Sequence, residues 1–145
     1  MEIRFINTQD PLYPMERALR VEVLRKPLGL DAGTEEFPFE RESLHLIALD
    51  GKIPVGCVLF RPQGKTGRLY QMAVHEKYRG QGLGAMLVRK MEKRLISEGI
   101  EEVYLHARHT SAPFFEKLGY KIEGEPFIEI GIEHRMMKKN FRKIS

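Results

Sequence analysis

The stretch that decides the fold spans residues 79–84 and reads Arg79-Gly80-Gln81-Gly82-Leu83-Gly84. Three alternating glycines remove three side chains, so the backbone N–H groups of this loop can approach a ligand closely. From Leu83 onward, apolar residues recur at helical spacing, which predicts that the loop opens a helix. The free N–H groups and the positive dipole end of such a helix favour an anion, and Arg79 adds a full positive charge. The pattern therefore predicts a loop that binds a pyrophosphate.

Two other phosphate-binding motifs fit this loop less well. A P-loop needs a Lys followed by Ser or Thr after its last glycine, and Ala85-Met86 stand there, so that motif is excluded. Gly80, Gly82 and Ala85 satisfy the loose dinucleotide pattern, but that pattern belongs in a first strand–helix turn, and this loop follows the fourth predicted strand. Glycine-rich turns before helices also occur without any ligand. The preceding strand, the long helix and Arg79 together favour phosphate binding over a plain turn.

The rest of the chain supplies the elements around this loop. Alternating or β-branched runs predict strands at residues 2–6, 44–49, 53–60, 68–74 and 103–107, and a last pair of strands within 120–139. Helical spacing predicts helices from about Tyr13 to Pro27, with Met15 and Leu19 on the apolar face, from Leu83 to Gly99, and over 112–118. Asp50-Gly51 and residues 62–67 predict hairpin turns. The order predicts an α+β (mixed α/β) fold with a largely antiparallel first half.

Length and composition limit the class of protein. A chain of 145 residues suits one domain spanning residues 1–145, and 42% hydrophobic with 30% charged residues is typical of a globular protein rather than a disordered one. No apolar run reaches the ~18 residues of a membrane helix and the N-terminus lacks a signal-like apolar block, so we expect a cytoplasmic protein without membrane contact.

Charge and cysteine content limit the partners. Cys57 is the only cysteine, which excludes an internal disulfide and a cysteine-based zinc site, and we expect no metal. We expect the Cys57 side chain to lie in the core. The net charge of +4 suits a polyanionic small molecule as well as nucleic acid.

These residues resemble the GNAT superfamily of N-acyltransferases. Its signature, Arg or Gln, two residues, Gly, one residue, and Gly or Ala, is met by Arg79, Gly82 and Gly84. A second block, residues 112–120, resembles the helix of that family that ends in a Gly-aromatic pair, and the order of elements agrees over the whole chain. Residues 105–108 and 127–137 look like a small bacterial branch of predicted acyltransferases. The resemblance implies a GNAT-like central, mostly antiparallel twisted sheet flanked by helices.

The resemblance also implies acetyl-CoA as the acyl donor. Its pyrophosphate would lie on the backbone amides of Arg79, Gly80, Gln81, Gly82, Leu83, Gly84 and Ala85. Its pantetheine arm would add like a short strand to the backbone of Met72, Ala73 and Val74, with Phe115 packing against it. The acyl group would pass directly to a primary amine of a small molecule or peptide in a ternary complex, without an acylated enzyme.

The sequence departs from the family pattern at the proton-transfer residues. Many members have a Tyr where Phe115 stands, and phenylalanine cannot donate a proton to the leaving thiolate. Gln71 stands where some members have an acidic residue, and a neutral amide cannot act as a general base. Tyr120 and His45 are interpreted as structural. Histidine titrates near neutrality, so we rank His134 first and His106 second as catalytic residues. Each of these histidines also has a purely structural reading, and His109, Glu129 and Glu133 are further candidates.

Two other functions stay open at this stage. Phe115 and Gln71 are compatible with a non-catalytic acyl-CoA-binding sensor or partner-binding protein. The basic end of the chain suggests a nucleic-acid-binding module, but it lacks interleaved aromatic residues, so nucleic acid is a disfavoured partner. That basic end comprises Arg135, Lys138, Lys139, Arg142 and Lys143. The acidic segment 31–42 is interpreted as a solvated loop rather than an attractor for a cationic amine. The sequence does not decide between a monomer and a homodimer.

Overall fold

A computed structural model describes residues 1–29 and 39–141 of the chain. The strands are β1 (Glu2–Ile6), β2 (Leu44–Asp50), β3 (Ile53–Gln63), β4 (Thr66–Val74), β5 (Glu102–Arg108), β6 (Lys121–Glu129) and β7 (Ile132–Asn140). The helices are α1 (Tyr13–Arg20), α2 (Leu83–Ser97) and α3 (Ala112–Lys117). The strands form a sheet in the order β1-β2-β3-β4-β5-β7-β6, in which only β4 and β5 run parallel. The predicted α+β fold and its element order are confirmed.

The predicted hairpins are present with small shifts in their turns. Asp50 pairs with Ile53, so the β2–β3 turn consists of Gly51 and Lys52, one residue later than predicted. Gly51 has φ +62°, the left-handed conformation for which glycine has no steric penalty. The turn predicted over 62–67 is too wide, because the ladder continues until Gln63 pairs with Thr66.

Helix α1 covers one face of the sheet, but its buried side is more polar than predicted. After Arg20 the helix loosens into a π-helical turn (Val21–Arg25) and a 3₁₀ turn (Lys26–Leu28) before Gly29. Leu19 is buried, whereas Met15 is 40% exposed although it belongs to the same apolar spacing. Glu16 and Arg20 lie on the buried side instead, because each has charged partners there.

Two hydrophobic cores lie on opposite faces of the sheet. Helices α2 and α3 bury one core that includes Leu87, Met91 and Leu105. Helix α1 covers the other core, in which Cys57 is fully buried, as the sequence led us to expect. Burial raises the pKa of the Cys57 thiol, which keeps it protonated. Among the helices of the described residues, none combines the length and apolar character needed to cross a membrane.

A gap opens in the middle of the sheet between β4 and β5. The two strands pair only where residues 66–68 meet residues 102–104. Farther along β4, Gln71 has φ +50° and the β3–β4 register shifts between Cys57 and Leu59, which is a β-bulge that bends the strand. Beyond Arg68, the edge of β4 that faces β5 is therefore not paired with that strand.

Candidate active site

A cavity of about 1070 Å³ lies at this gap. Its walls come from the loop before α2, from β4 and β5, from the β6–β7 turn, and from residues 23–28 after α1. This places the predicted phosphate loop and both predicted catalytic histidines around one cavity, as its lining includes Gly82, His106 and His134.

The loop before α2 has the backbone conformation that its glycines predict. Gly80 and Gly82 have φ +76° and +80°, and Gly82 precedes the helix without any side chain capping it. The amide of Met86 makes the first helical hydrogen bond, to the Gly82 carbonyl at 3.1 Å. The N–H groups before Met86 have no helical acceptor, since the first turn of any helix leaves them unpaired. They are therefore available to an anion at the positive end of the helix.

Gly84 and Arg79 fix this loop against the sheet. A Cβ atom on Gly84 would lie 2.8 Å from Met72 Cε and 3.3 Å from Phe114 Cζ, so a larger residue would displace the end of the Met72 side chain and crowd the Phe114 ring. The Arg79 side chain donates from Nε to the Val74 carbonyl at 3.1 Å and so ties the loop to the end of β4. The loop is thus a backbone cradle held at the end of the gap.

The end of β4 offers the place that a pantetheine arm needs. Met72 and Val74 line the cavity, while Ala73 is 2% exposed and its side chain packs into the core on the opposite face. Because β5 does not pair with this part of β4, the backbone edge of β4 faces the gap. A strand edge without a partner is the arrangement to which an extended chain adds by main-chain hydrogen bonds. Together with the glycine cradle, these residues fit acetyl-CoA.

Helix α3 carries Phe115 at the position where many members of the GNAT superfamily have a tyrosine, so this position has no hydroxyl group. Phe115 lines the cavity and packs edge-on against Phe114 and Tyr120, with ring centroids 4.9 and 5.8 Å away. Tyr120 is 2% exposed and donates its hydroxyl to Glu92 Oε2 at 2.8 Å. Burial, together with the charge of Glu92, raises the pKa of Tyr120. Tyr120 is therefore a packing residue, as interpreted from the sequence.

His106 and His134 meet at a shared carboxylate. His106 Nδ1 lies 3.3 Å from Glu129 Oε1, and His134 Nε2 lies 3.7 Å from Glu129 Oε2. The ring of Phe127 stacks on His134 and meets His106 edge-on, with centroid distances of 5.9 and 5.1 Å. The pairing of β6 with β7 explains this meeting. Phe127 lies opposite His134, and Glu129 lies opposite Ile132 on the same face of these two strands.

The hydrogen bond of His134 to the backbone fixes its tautomer. His134 is 6% exposed, and its Nδ1 lies 2.8 Å from the Ile132 carbonyl oxygen. A carbonyl only accepts hydrogen bonds, so Nδ1 carries the proton and the lone pair of the neutral ring is on Nε2. That lone pair faces the Glu129 side of the cavity.

His106 is held in its neutral form. Burial lowers the pKa of His106, the nearby charge of Arg68 lowers it further, and together they outweigh the opposite effect of Glu129. Arg68 Nη2 lies 3.9 Å from Glu129 Oε1, and the Arg68 Nε atom is buried without a hydrogen-bond partner among the described residues. Arg68 is not among the site residues predicted from the sequence, although the alternation of β4 puts it on the face that carries His106.

The remaining candidate residues lie elsewhere. His109 and Glu133 form an exposed pair, with 3.2 Å between Nδ1 and Oε2, outside the cavity lining. At the basic end, Lys138 pairs with Glu123 and Lys139 with Glu92, each at 2.9 Å. Arg142 and Lys143 lie outside the described residues. Within the described ranges, no group of His, Cys, Asp and Glu side chains is arranged to hold a metal ion.

A buried polar network, which the sequence did not predict, lies next to the cavity. Arg20 donates from Nη1 to Glu16 at 2.9 Å and from both terminal nitrogens to Glu40, at 2.8 and 2.6 Å. His45 bonds Glu16 through Nδ1 at 2.9 Å and the Glu40 carbonyl through Nε2 at 2.7 Å, a structural role as interpreted. Arg20 Nε donates to Gln71 at 3.3 Å, which links the network to the β4 bulge.

This network corrects the interpretation of the acidic segment. Glu40 is 3% exposed, so a solvated loop is wrong for this residue, because it is paired with the buried guanidinium of Arg20. Residues 31–38 of that segment lie outside the described residues. The i, i+4 spacing of Glu16 and Arg20 was the signal in the sequence, but the same spacing is common on exposed helices.

Comparison with known proteins gives one consistent family. Residues 14–141 match the model of the acetyltransferase (GNAT) domain. The uncharacterized N-acetyltransferase YjcF of Bacillus subtilis is 32% identical over 123 residues, which cover 84% of this chain and 88% of that protein.

Solved structures share the fold at lower identity. Escherichia coli ElaA superposes with a TM-score of 0.86 at 16% identity, covering 97% of this chain and 100% of that one. An aminoglycoside 6'-N-acetyltransferase complexed with coenzyme A superposes with a TM-score of 0.81 at 22% identity. The superposition covers 100% of this chain and 99% of that one. The chain belongs to the GNAT acetyltransferase family, whose acyl donor is acetyl-CoA.

Proposed function

We propose that this protein transfers an acetyl group from acetyl-CoA directly to a primary amine of a small molecule or peptide, and that residues 1–145 form the one domain that does so. The observation that carries the proposal is the shared cavity. It joins a backbone cradle for an anion, an open strand edge and a pair of histidines around a carboxylate. Acetyl-CoA supplies a thioester carbonyl that an amine can attack.

The donor half of the site is built from backbone. The amides of residues 79–85 bind the pyrophosphate, and the edge of β4 at residues 72–74 binds the extended arm. Phe115, which lines the cavity, packs against the side of the pantetheine arm. A thiol of ordinary pKa, about 8.5, leaves as a thiolate without a general acid, so the loss of the family's tyrosine at Phe115 does not prevent transfer.

The acceptor half removes a proton from the amine. An ammonium group has no lone pair for attack, so it must be deprotonated first. His134 Nε2 carries the lone pair that accepts this proton, and Glu129 at 3.7 Å stabilises the imidazolium that forms. His106, which donates to the other oxygen of Glu129, orients the carboxylate and is the second candidate for the base.

The test is acyl transfer itself. The protein is incubated with acetyl-CoA and a panel of small amines and peptides, and release of free coenzyme A thiol is followed together with the mass of the acetylated product. Thiol release that depends on one amine class supports the proposal. Tight acetyl-CoA binding without any product across the panel would instead favour a second candidate, a non-catalytic acyl-CoA sensor, to which the hydroxyl-free Phe115 points.

A further inference from the structure

The acceptor half of the cavity is rich in arginine. Arg68 and Arg108 line this half beside His106 and His134, and among the described residues Glu129 is the acidic side chain in the lining. We propose that the amine accepted here also carries a carboxylate or phosphate group, and that Arg68 binds this anion. The inference rests on the function proposed above and narrows its substrate class.

Arg68 is placed for an anion at the narrow end of the gap. It pairs with Tyr104 at the last position where β4 and β5 are joined. The Arg68 side chain is 24% exposed and lines the cavity. Its Cζ atom lies 5.9 Å from the centroid of the Tyr70 ring.

The hydrogen-bonding capacity of Arg68 is not used within the described protein. Its Nε is buried without a partner, and its Nη2 stays 3.9 Å from Glu129, beyond hydrogen-bond distance. A planar guanidinium with free donors matches the two oxygens of a carboxylate or phosphate.

Arg108 adds a second cation at the wider end of the gap. It follows His106 on the same face of β5, directly opposite His134 in the ladder. It donates from Nη2 to the Leu24 carbonyl at 3.3 Å, which holds the guanidinium beside the cavity. Among the described residues, Arg68 and Arg108 against the one carboxylate of Glu129 give this half a positive potential, which favours an anionic acceptor over a polyamine.

The distances also limit the size of the acceptor. Arg68 Nη2 and His134 Nε2 lie 3.9 and 3.7 Å from the two oxygens of the same Glu129 carboxylate. An amine at His134 and an anion at Arg68 are therefore close neighbours. This arrangement fits a compact molecule in which a few bonds separate the amine from the acid, as in an amino acid or an aminoalkyl phosphate.

Matched pairs of amines test the inference. The pairs are 3-aminopropanoate with propylamine and O-phosphoethanolamine with ethanolamine, and putrescine represents a purely cationic amine. Binding to the protein loaded with coenzyme A is measured by calorimetry, and thiol release is measured with acetyl-CoA. For at least one pair, we expect the anionic amine to bind and to release thiol about tenfold or more better than the matched amine. The matched amine has no acid group and therefore lacks a charge-assisted hydrogen bond. A preference in the first pair indicates a site for a carboxylate, and a preference in the second pair indicates a site for a phosphate.

Variants assign the preference to Arg68. In R68Q the KM for the anionic amine should rise about tenfold or more, while the KM for acetyl-CoA stays unchanged, and R68K should recover part of the loss. R61Q is the matched control, because Arg61 lies directly opposite Arg68 in the β3–β4 ladder but stacks on Phe39 at 4.1 Å, outside the cavity lining. R61Q should keep the wild-type preference.

The possible failures are distinguishable. Equal or better use of propylamine, ethanolamine or putrescine would overturn the inference while leaving acetyl transfer intact. An equal loss for both members of a pair in R68Q would also overturn it, since Arg68 would then act only through the fold. Binding of an anionic amine without any thiol release would overturn the proposed function but support the anion site. Absence of binding by every anionic amine would overturn the inference.

Discussion

The ring of His134 donates a hydrogen bond of 2.8 Å from Nδ1 to the carbonyl oxygen of Ile132, two residues earlier in β7. This local bond orients the imidazole and directs Nε2 toward Glu129 in the cavity. A base that is held by its own strand keeps its orientation whether or not substrate is bound. The relationship makes His134 the residue on which the proposed proton transfer depends.

Replacing His134 by Ala should lower kcat for acetyl transfer about 10²- to 10⁴-fold, the range for loss of a general base. The KM for acetyl-CoA should change little, because the donor half is built from the backbone of other elements. Steady-state kinetics with varied acetyl-CoA checks both parameters. The control is His109→Ala, since His109 is 64% exposed and outside the cavity lining. Full activity of His134→Ala would move the role of base to His106.

The cofactor loop gives a second prediction, based on ligand-induced stabilisation. Gly82 has φ +80°, so Gly82→Val distorts the loop whose amides we propose bind the pyrophosphate, and acetyl-CoA should no longer raise Tm. Gly64→Val is the matched control, because Gly64 has φ +72° in the β3–β4 turn away from the cavity. Both variants should lose stability without ligand, but only Gly64→Val should keep the Tm increase in thermal melts with acetyl-CoA. An undiminished increase in Gly82→Val would contradict the placement of the pyrophosphate.

His106 gives a prediction about pH. Burial and then Arg68 hold its pKa below the ordinary value near 6.5, and Glu129 opposes them. Glu129→Gln should therefore lower the pKa of His106 further, as followed by NMR of the ring protons. Glu133→Gln, which alters the pair with His109 instead, should leave it unchanged.

The same shift contributes to stability with a definite sign. The unfolded chain binds a proton at His106 more readily than the folded chain, so this contribution is present above the unfolded pKa near 6.5 and is lost as pH falls toward the folded pKa. Glu129→Gln should steepen that loss. A His106 pKa that rises in this variant would show that Glu129 is not the partner that favours the charged ring.

The conformation of the loop before α2 could be predicted from sequence, and the arrangement of side chains at the other end of the cavity only in part. Glycines at Gly80 and Gly82 serve a local backbone conformation, so the six residues of the loop are enough to recognise it. His106 and His134 were also identified by residue type. Their meeting at Glu129 depends on the register between β6 and β7. This register shifts at an irregularity in the ladder, and the sequence does not show such a shift. Arg68 and Arg108 looked like ordinary charged positions on alternating strands.

The buried network was hidden for a related physical reason. Charged residues are almost never fully buried unless they are paired, and pairing between Glu16, Arg20, Glu40 and His45 requires three separate segments to meet. Periodicity shows which side of α1 faces the sheet only when that side is apolar. Here the side that faces the sheet carries two charges.

That network gives a stability prediction. Glu16→Gln leaves the buried Arg20 and His45 without their shared carboxylate and should lower the free energy of unfolding by about 3–5 kcal/mol, measured by urea denaturation. Glu22→Gln, which alters an exposed i, i+4 pair with Lys26 in the same helical segment, should have no resolvable effect. Burial lowers the pKa of His45, but Glu16 and Glu40 together outweigh it and the net pKa is raised. Its stabilisation is therefore complete below pH 6.5 and is lost as pH rises through the folded pKa, a dependence that Glu16→Gln should weaken.

The β6–β7 turn gives the last prediction. Ile130 has φ +54° and is followed by Gly131 at φ +69°, so a β-branched residue occupies a left-handed position in the two-residue turn between Glu129 and Ile132. Ile130 is 59% exposed, so it gains little from burial in return for this strain. Ile130→Asn should raise the free energy of unfolding by about 1 kcal/mol, because Asn tolerates the left-handed region. Ile128→Asn is the control, since Ile128 is 70% exposed in the extended part of β6, and it should not stabilise the protein. Equal changes in both variants would show that polarity rather than backbone conformation is responsible.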